Sequence, residues 1–226
     1  MINFNKLITK HIEEEFNKDD WGKDDTDLTY HPSYIGYCDR YMLTAKAGLR
    51  EINRTLKGIF YQGKEHHKLF QELPLRYGVV ESDEGKVEVP VKYNVPNSDI
   101  VITGSVDYFH DGVVYDFKTT DNKWTVEKLN FVKKHHKLQV HLYMYPLKAA
   151  KGSVVYVHKG TLLSRQFIFD YEKKLVEDTF ERLKKFHPIY MKWKNNGMKI
   201  EEIPFKKCGC NYCTYEVLNK SCIENI

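Results

Sequence analysis

The chain has 226 residues, 42% of them hydrophobic and 29% charged, with a formal net charge of +4 at pH 7 and a pI near 8.6. That balance suits a globular domain and permits nucleic-acid contact without requiring it; basic and acidic residues are interspersed, so any such contact is expected in a local groove. No apolar run reaches the roughly 18 residues of a membrane helix, Met1 to Phe16 lacks a signal-peptide core, and no linker or repeat divides the chain, so one cytoplasmic domain over residues 1–226 is expected.

In chain order, Ile2 to Phe16 can form a helix and Asn17 to Asp27 reads as a polar loop. Tyr41 to Glu51 and Lys57 to Leu73 are helical by spacing, with Gly58 and Gly63 as breakers in the second. Val87 to Val95 alternates as a strand and precedes two more, Asp99 to Phe109 and Val113 to Thr120. Thr125 to Tyr145 is expected as one long helix ending before Pro146. Ser153 to His158 and Leu162 to Phe169 read as strands, and Tyr171 to Lys194 as an amphipathic helix interrupted near Pro188. This order predicts an α/β fold: a mixed central β-sheet flanked by helices.

The middle strands carry the chemistry. Asp111-Gly112 is a dipeptide favoured in two-residue type I′ hairpin turns. With that turn, His110 faces Val113, and Asp107 falls opposite Asp116. Cross-strand partners share a face with Cβ atoms roughly 4.5 to 5.5 Å apart, and alternation adds Val114 and Lys118 to the Asp116 face, leaving Val113, Tyr115 and Phe117 opposite. Opposed carboxylates repel unless neutralised, and a hard cation with oxygen ligands neutralises them. Other acid-x-Lys triplets occur at Glu84-Gly-Lys86, Asp121-Asn-Lys123 and Glu172-Lys-Lys174. Only Asp116-Phe-Lys118 ends an apolar strand with an earlier aspartate in register and a Gly104-Ser-Val lead-in.

Gln139 and Tyr143, four apart on the long helix, share a face that His136 joins, with Lys133, Lys134 and Lys137 flanking them. They can present an amide and a phenol beside the acidic patch. Of the adjacent His66 and His67, about 100° apart around a helix, at most one can face it. Five cysteines without an export signal point to metal ligation rather than disulfides. Cys38 stands alone, whereas Cys208, Cys210, Cys213 and Cys222 crowd the C-terminus. Four thiolates suit either zinc or an iron-sulfur cluster.

The ordered set Cys38-Asp-Arg40, Gly63-x3-His67, Gly104-Ser-Val-Asp107, Asp116-Phe-Lys118, Gln139-x3-Tyr143 and the terminal cysteines resembles the RecB-like branch of the PD-(D/E)xK nuclease superfamily. Within that branch it looks like the CRISPR-associated four-cysteine iron-sulfur exonucleases and their viral relatives. The resemblance runs from about Ser33 to Cys222. It implies a restriction-endonuclease-like core at about 57–170, with segments at about 33–43 and 204–226 joined by a metal cluster. It implies that His67, Asp107, Asp116 and the Phe117 carbonyl hold Mg2+ or Mn2+, that Lys118 activates or positions water, and that Gln139 and Tyr143 complete the centre. Cys38, Cys210, Cys213 and Cys222 would hold a 4Fe-4S cluster. The gap between Cys213 and Cys222 is longer than the family's, so Cys208 stands as a substitute for Cys210 or Cys222, and a C-terminal zinc knuckle is the alternative.

The expected activity is metal-dependent DNA exonuclease cleavage of single strands or duplex ends, in recombination, replication or CRISPR adaptation with protein partners of those processes. An endonuclease of the same superfamily and a non-catalytic DNA-binding scaffold with a zinc site are the competing expectations. No membrane partner is expected. Tyr34, Tyr37 and Trp124 are candidates for stacking on single-stranded bases.

Overall fold

The computed structural model describes residues 26–49, 54–78, 85–199 and 202–205, together with residue 7 and residues 10–15. Cys208, Cys210, Cys213 and Cys222 lie outside the described residues, and so does any joining of the terminal segments by a cluster. The strands are β1 (Thr29–Tyr30), β2 (Lys86–Asn94), β3 (Val101–His110), β4 (Val113–Thr120), β5 (Lys151–His158) and β6 (Ser164–Asp170). The helices are α1 (Pro32–Ile35), α2 (Asp39–Lys46), α3 (Arg54–Arg76), α4 (Lys123–Lys128), α5 (Lys134–Leu147) and α6 (Lys173–Asn195). Among the described residues no helix is long and apolar enough to cross a membrane.

One sheet joins all six strands. β2–β3, β3–β4 and β5–β6 pair antiparallel, and β1–β3 and β4–β5 pair parallel, so the sheet is mixed. One face carries Val91, Val106, Val114, Val154 and Tyr156 against Val140, Tyr143 and Met144 of α5. The other packs Tyr108, Phe117 and Val157 against Phe70 of α3. A third cluster joins α1, α2, α5 and α6 through residues such as Ile35, Leu43, Leu142 and Phe180. Each such side chain, fully buried, contributes about 1.5–3 kcal/mol.

The close fit of α5 to the sheet depends on Gly152, where an added Cβ would lie 2.5 Å from Val140 Cγ1 and 2.8 Å from Met144 Sδ. The approach of α1 to the start of α5 depends likewise on Gly36, which caps α1 and where a Cβ would lie 2.6 Å from the His135 carbonyl oxygen.

Several helices differ from expectation: α2 ends at Lys46 rather than Glu51, and α5 runs through Pro146 to Leu147. The long helix divides into α4 and α5 because Leu129 turns extended (φ −69°, ψ 115°), the Arg165 guanidinium takes its carbonyl, and the Lys133 N–H donates to the Tyr156 hydroxyl. Those outside partners satisfy backbone groups that a helix would have used internally. α6, conversely, runs through Pro188 without a break, its buried stripe continuing from Leu183 and Phe186 to Tyr190 and Trp193. Packing along that stripe outweighs the lost helical hydrogen bond.

The hairpin register is the one the Asp111-Gly112 turn predicts, with His110 facing Val113 and Tyr108 facing Tyr115. There the pairing stops, one step short of Asp107 and Asp116. β4 continues alongside β5 as far as Thr120, while the same edge of β3 is next occupied by β1 at Val101 and Ile102. Between these contacts the strands part and leave a fork in the sheet.

Candidate active site

Asp107 sits in that fork. Side-chain alternation inverts around it: Val106 faces α5, whereas Tyr108 faces α3. Its partner position in β2, Glu88, also drops out of the ladder, although Val87 and Val89 on either side pair normally. Asp107 thus loses pairing on both edges. Its Oδ2 accepts the Phe117 N–H at 2.7 Å, filling the place of a β3 backbone acceptor, and its carbonyl accepts from Gln71 Nε2 at 2.9 Å. The expected face-to-face pair of carboxylates is therefore replaced by an offset one. Splaying relieves the repulsion of two acids in register and turns Asp107 across the gap in the sheet.

Groups from both faces meet here. α3 brings His67, whose Nδ1 is 3.5 Å from Asp107 Oδ2. His66 instead turns to the Gln62 carbonyl at 2.7 Å. Gly63 is not demanded by packing, since a Cβ there would touch only Thr119 Oγ1 at 3.7 Å. From the opposite face, Asp116 is 2% exposed, and its Oδ1 accepts from Lys118 Nζ at 2.9 Å. Its Oδ2 is buried with no hydrogen-bond partner among the described residues. α5 supplies Gln139 and Tyr143, both buried, with Gln139 Nε2 3.5 Å from the Tyr143 hydroxyl. Tyr143 lies over β3 where Gly104 has no side chain; a Cβ there would be 3.0 and 3.1 Å from Tyr143 Cε1 and its hydroxyl.

The electrostatics follow from burial and proximity. Burial pushes the Asp116 carboxyl up to about 6, Lys118 opposing and Asp107 adding to the shift. Burial also acts to raise Asp107, but His67, Lys118 and the Phe117 N–H outweigh it and hold that carboxyl below its usual range. For His67, burial disfavours the charged ring, yet Asp107 outweighs it and raises the pKa. Burial raises the Tyr143 phenol far above its ordinary value, with Asp116, Asp107 and Glu88 adding to the effect. Tyr143 therefore remains a hydrogen-bond donor at neutral pH.

Two histidines at the start of α5 edge the centre. Burial and then Lys118 depress His136 strongly, and its Nδ1 lies 2.9 Å from the Tyr156 hydroxyl. Burial, Lys133 and Lys118 bring His135 down to about 4, and its ring stacks on Tyr37. Both rings are neutral at pH 7.

Among the described residues no three His, Cys, Asp or Glu side chains converge closely enough to hold an ion as they stand. The donor set nevertheless fits a divalent cation. The buried Asp116 Oδ2, with no hydrogen-bond partner among the described residues, is open to accept a cation, and oxygen donors beside one imidazole suit Mg2+ or Mn2+. Lys118 is the cation now nearest Asp116.

Cys38 caps α2, its Sγ 3.5 Å from the Tyr41 N–H. Arg182 of α6 clasps this turn through the Ile35 and Tyr37 carbonyls and Asp39. Arg40 Nη1 donates to the Phe205 carbonyl at 2.7 Å.

Gln71 and Glu88 were not legible as site residues. Gln71 lies one helical turn after His67 and so shares its face, a signal available in the spacing. Nothing local marks Glu88 within its alternating strand.

No protein-family model and no curated protein sequence matches the chain. Solved structures do share its fold. SSO0001 is 18% identical with a TM-score of 0.50, covering 80% of this chain and 86% of its own. LHK-Exo, an alkaline exonuclease from Laribacter hongkongensis, is 13% identical in its complex with dAMP, with a TM-score of 0.51 over 76% of this chain and 95% of its own. A phage-related exonuclease from Haemophilus somnus 129PT is 15% identical with a TM-score of 0.46, covering 62% of this chain and 73% of its own.

Proposed function

We propose that the protein is a divalent-metal-dependent DNA exonuclease of the RecB-like branch of the PD-(D/E)xK superfamily, acting on single strands or duplex ends. The observation that carries this reading is the buried Asp116 carboxylate with one oxygen on Lys118 and the other unpartnered, beside Asp107 in the fork of the sheet. A fold shared with LHK-Exo, an exonuclease crystallised with dAMP, supports it.

His67, Asp107, Asp116 and the Phe117 carbonyl would hold Mg2+ or Mn2+, which supplies charge stabilisation to the phosphate and eases proton loss from water. Lys118, within reach of Asp116, meets the negative charge that develops on the phosphate oxygens and orients the attacking water. Tyr143, kept protonated by burial, donates to a phosphate oxygen or to water, and Gln139 orients its hydroxyl. The neutral His135 and His136 add no charge that would compete with a cation.

A structural 4Fe-4S cluster on Cys38, Cys210, Cys213 and Cys222, with Cys208 in reserve, belongs to the same proposal. Support comes from the Arg40 contact with the Phe205 carbonyl, which brings the Cys38 turn to the approach of the terminal cysteines. Cys210 follows Phe205 by five residues, a reach of at most about 18 Å, which keeps its thiolate in the neighbourhood of that contact. Anaerobic purification is expected to give a brown protein containing iron and sulfide; a colourless one with stoichiometric zinc rejects the cluster.

Cleavage of 5′- and 3′-labelled linear DNA and of closed circular DNA, titrated with Mg2+ and Mn2+, tests the activity. Loss of cleavage in Asp116→Ala and dependence on a free end are expected. An Asp116→Ala variant as fast as wild type rejects the catalytic assignment, and cutting of closed circles makes the protein an endonuclease.

A further inference from the structure

Glu88 combines three features that ordinary strand residues do not share. Its backbone is left-handed, with φ at +48°, a conformation that costs a side-chain-bearing residue about 1–2 kcal/mol. It and Asp107 together drop out of an otherwise continuous β2–β3 ladder. Its carboxylate is nonetheless held at both oxygens: Oε1 accepts from Gln71 Nε2 at 2.7 Å, and Oε2 accepts from the Ser105 hydroxyl at 2.8 Å.

The Gln71 amide links these features. It has two N–H groups, one donating to Glu88 and the other to the Asp107 carbonyl at 2.9 Å. Gln71 is 8% exposed, so little water is at hand to replace either bond. The Glu88 oxygen, at 2.7 Å, fixes how the amide points. The carbonyl of Asp107, deprived of its ladder partner, is met by the other N–H. Asp107 is thereby kept out of the ladder, and its side chain remains turned toward Phe117 and His67.

We propose that Glu88 is a positioning residue of the candidate active site: through Gln71 it holds the Asp107 backbone in the broken ladder, presenting the Asp107 carboxylate to a divalent cation. This rests on the nuclease reading above. The left-handed backbone of Glu88 is the local cost of that geometry. Residues behind metal ligands characteristically change ion affinity about 10–100-fold when removed.

The test is Mn2+ binding to the full-length protein, measured by electron paramagnetic resonance titration without DNA, alongside kcat and KM. Glu88→Ala is expected to weaken Mn2+ binding about tenfold or more and to lower kcat with KM for DNA little changed. Glu88→Gln keeps an oxygen for the Gln71 amide and is expected to stay within about threefold of wild type, because orientation rather than charge is being supplied. Gln71→Ala is expected to match Glu88→Ala, and the double variant to be no worse than either single one. Should Glu88→Ala not fold, Gln71→Ala carries the test. Wild-type Mn2+ affinity in the folded alanine variant, additive losses in the double variant, or an equal loss in Glu88→Gln would each overturn the assignment while leaving the nuclease reading in place. Absence of Mn2+ binding in wild type would remove both.

Discussion

The carboxylate of Asp107 accepts the backbone N–H of Phe117 at 2.7 Å, at the point where β3 and β4 cease to pair. One side chain thus does two things: it closes a backbone donor that the parted strands leave open, and it presents a charge in the fork. Asp107→Asn retains an oxygen for Phe117 and is expected to fold, yet to lose about 100-fold or more in cleavage. Asp107→Ala, which strands a buried N–H, should lose a further about 1–3 kcal/mol of stability. Thermal melts beside single-turnover assays separate the two effects.

Asp116 makes the ion-free protein sensitive to pH. Its carboxyl is raised from 3.8 to about 6, so between those values the folded state holds a proton that the unfolded chain has released. Its contribution to stability is therefore present at low pH and lost as pH rises from about 4 to about 6, by up to about 3 kcal/mol. Asp116→Asn removes that burden and is expected to melt several degrees higher than wild type at pH 8 in chelator, while losing cleavage and the rise in melting temperature produced by Mn2+. In wild type that rise should be larger at pH 8 than at pH 5. Equal Mn2+ shifts at both values would contradict the assignment.

Gly104 lets Tyr143 approach β3. A Cβ 3.0 Å from the ring and 3.3 Å from Pro32 Cδ forces one of them to give way. Gly104→Ala is expected to cost about 1–3 kcal/mol and, by displacing the Tyr143 hydroxyl, to slow cleavage about tenfold or more. Unchanged kinetics in a destabilised variant would make Tyr143 a packing residue.

Trp124 is 64% exposed, with Lys128 Nζ 4.5 Å from its ring centroid, in the helix that follows the Lys118 strand. An exposed ring beside a cation suits stacking on a single-stranded base, worth about 1–3 kcal/mol. Trp124→Ala is expected to weaken single-stranded DNA binding about tenfold, and oligonucleotide should quench the fluorescence of wild type more than that of Trp124→Phe. Identical quenching in the two would place the strand elsewhere.

The amino-acid sequence by itself determined the hairpin and much of the site's membership. Asp111-Gly112 sets a turn by local backbone preference, and that turn dictates the register up to Tyr108 and Tyr115. Helical spacing likewise places Gln139 beside Tyr143. Only the tertiary structure decided where the ladder ends. The fork at Asp107 needs β1 and β5 to draw its neighbours apart, α3 to deliver His67 and Gln71, and Glu88 to adopt a left-handed backbone. The division of α4 from α5 was hidden for the same reason, since the hydrogen bonds that end α4 and begin α5 come from Arg165 and Tyr156. Turn chemistry and periodicity act over a few residues and can be read along the chain. Which buried polar groups find partners depends on residues far apart in sequence, and packing alone brings those together.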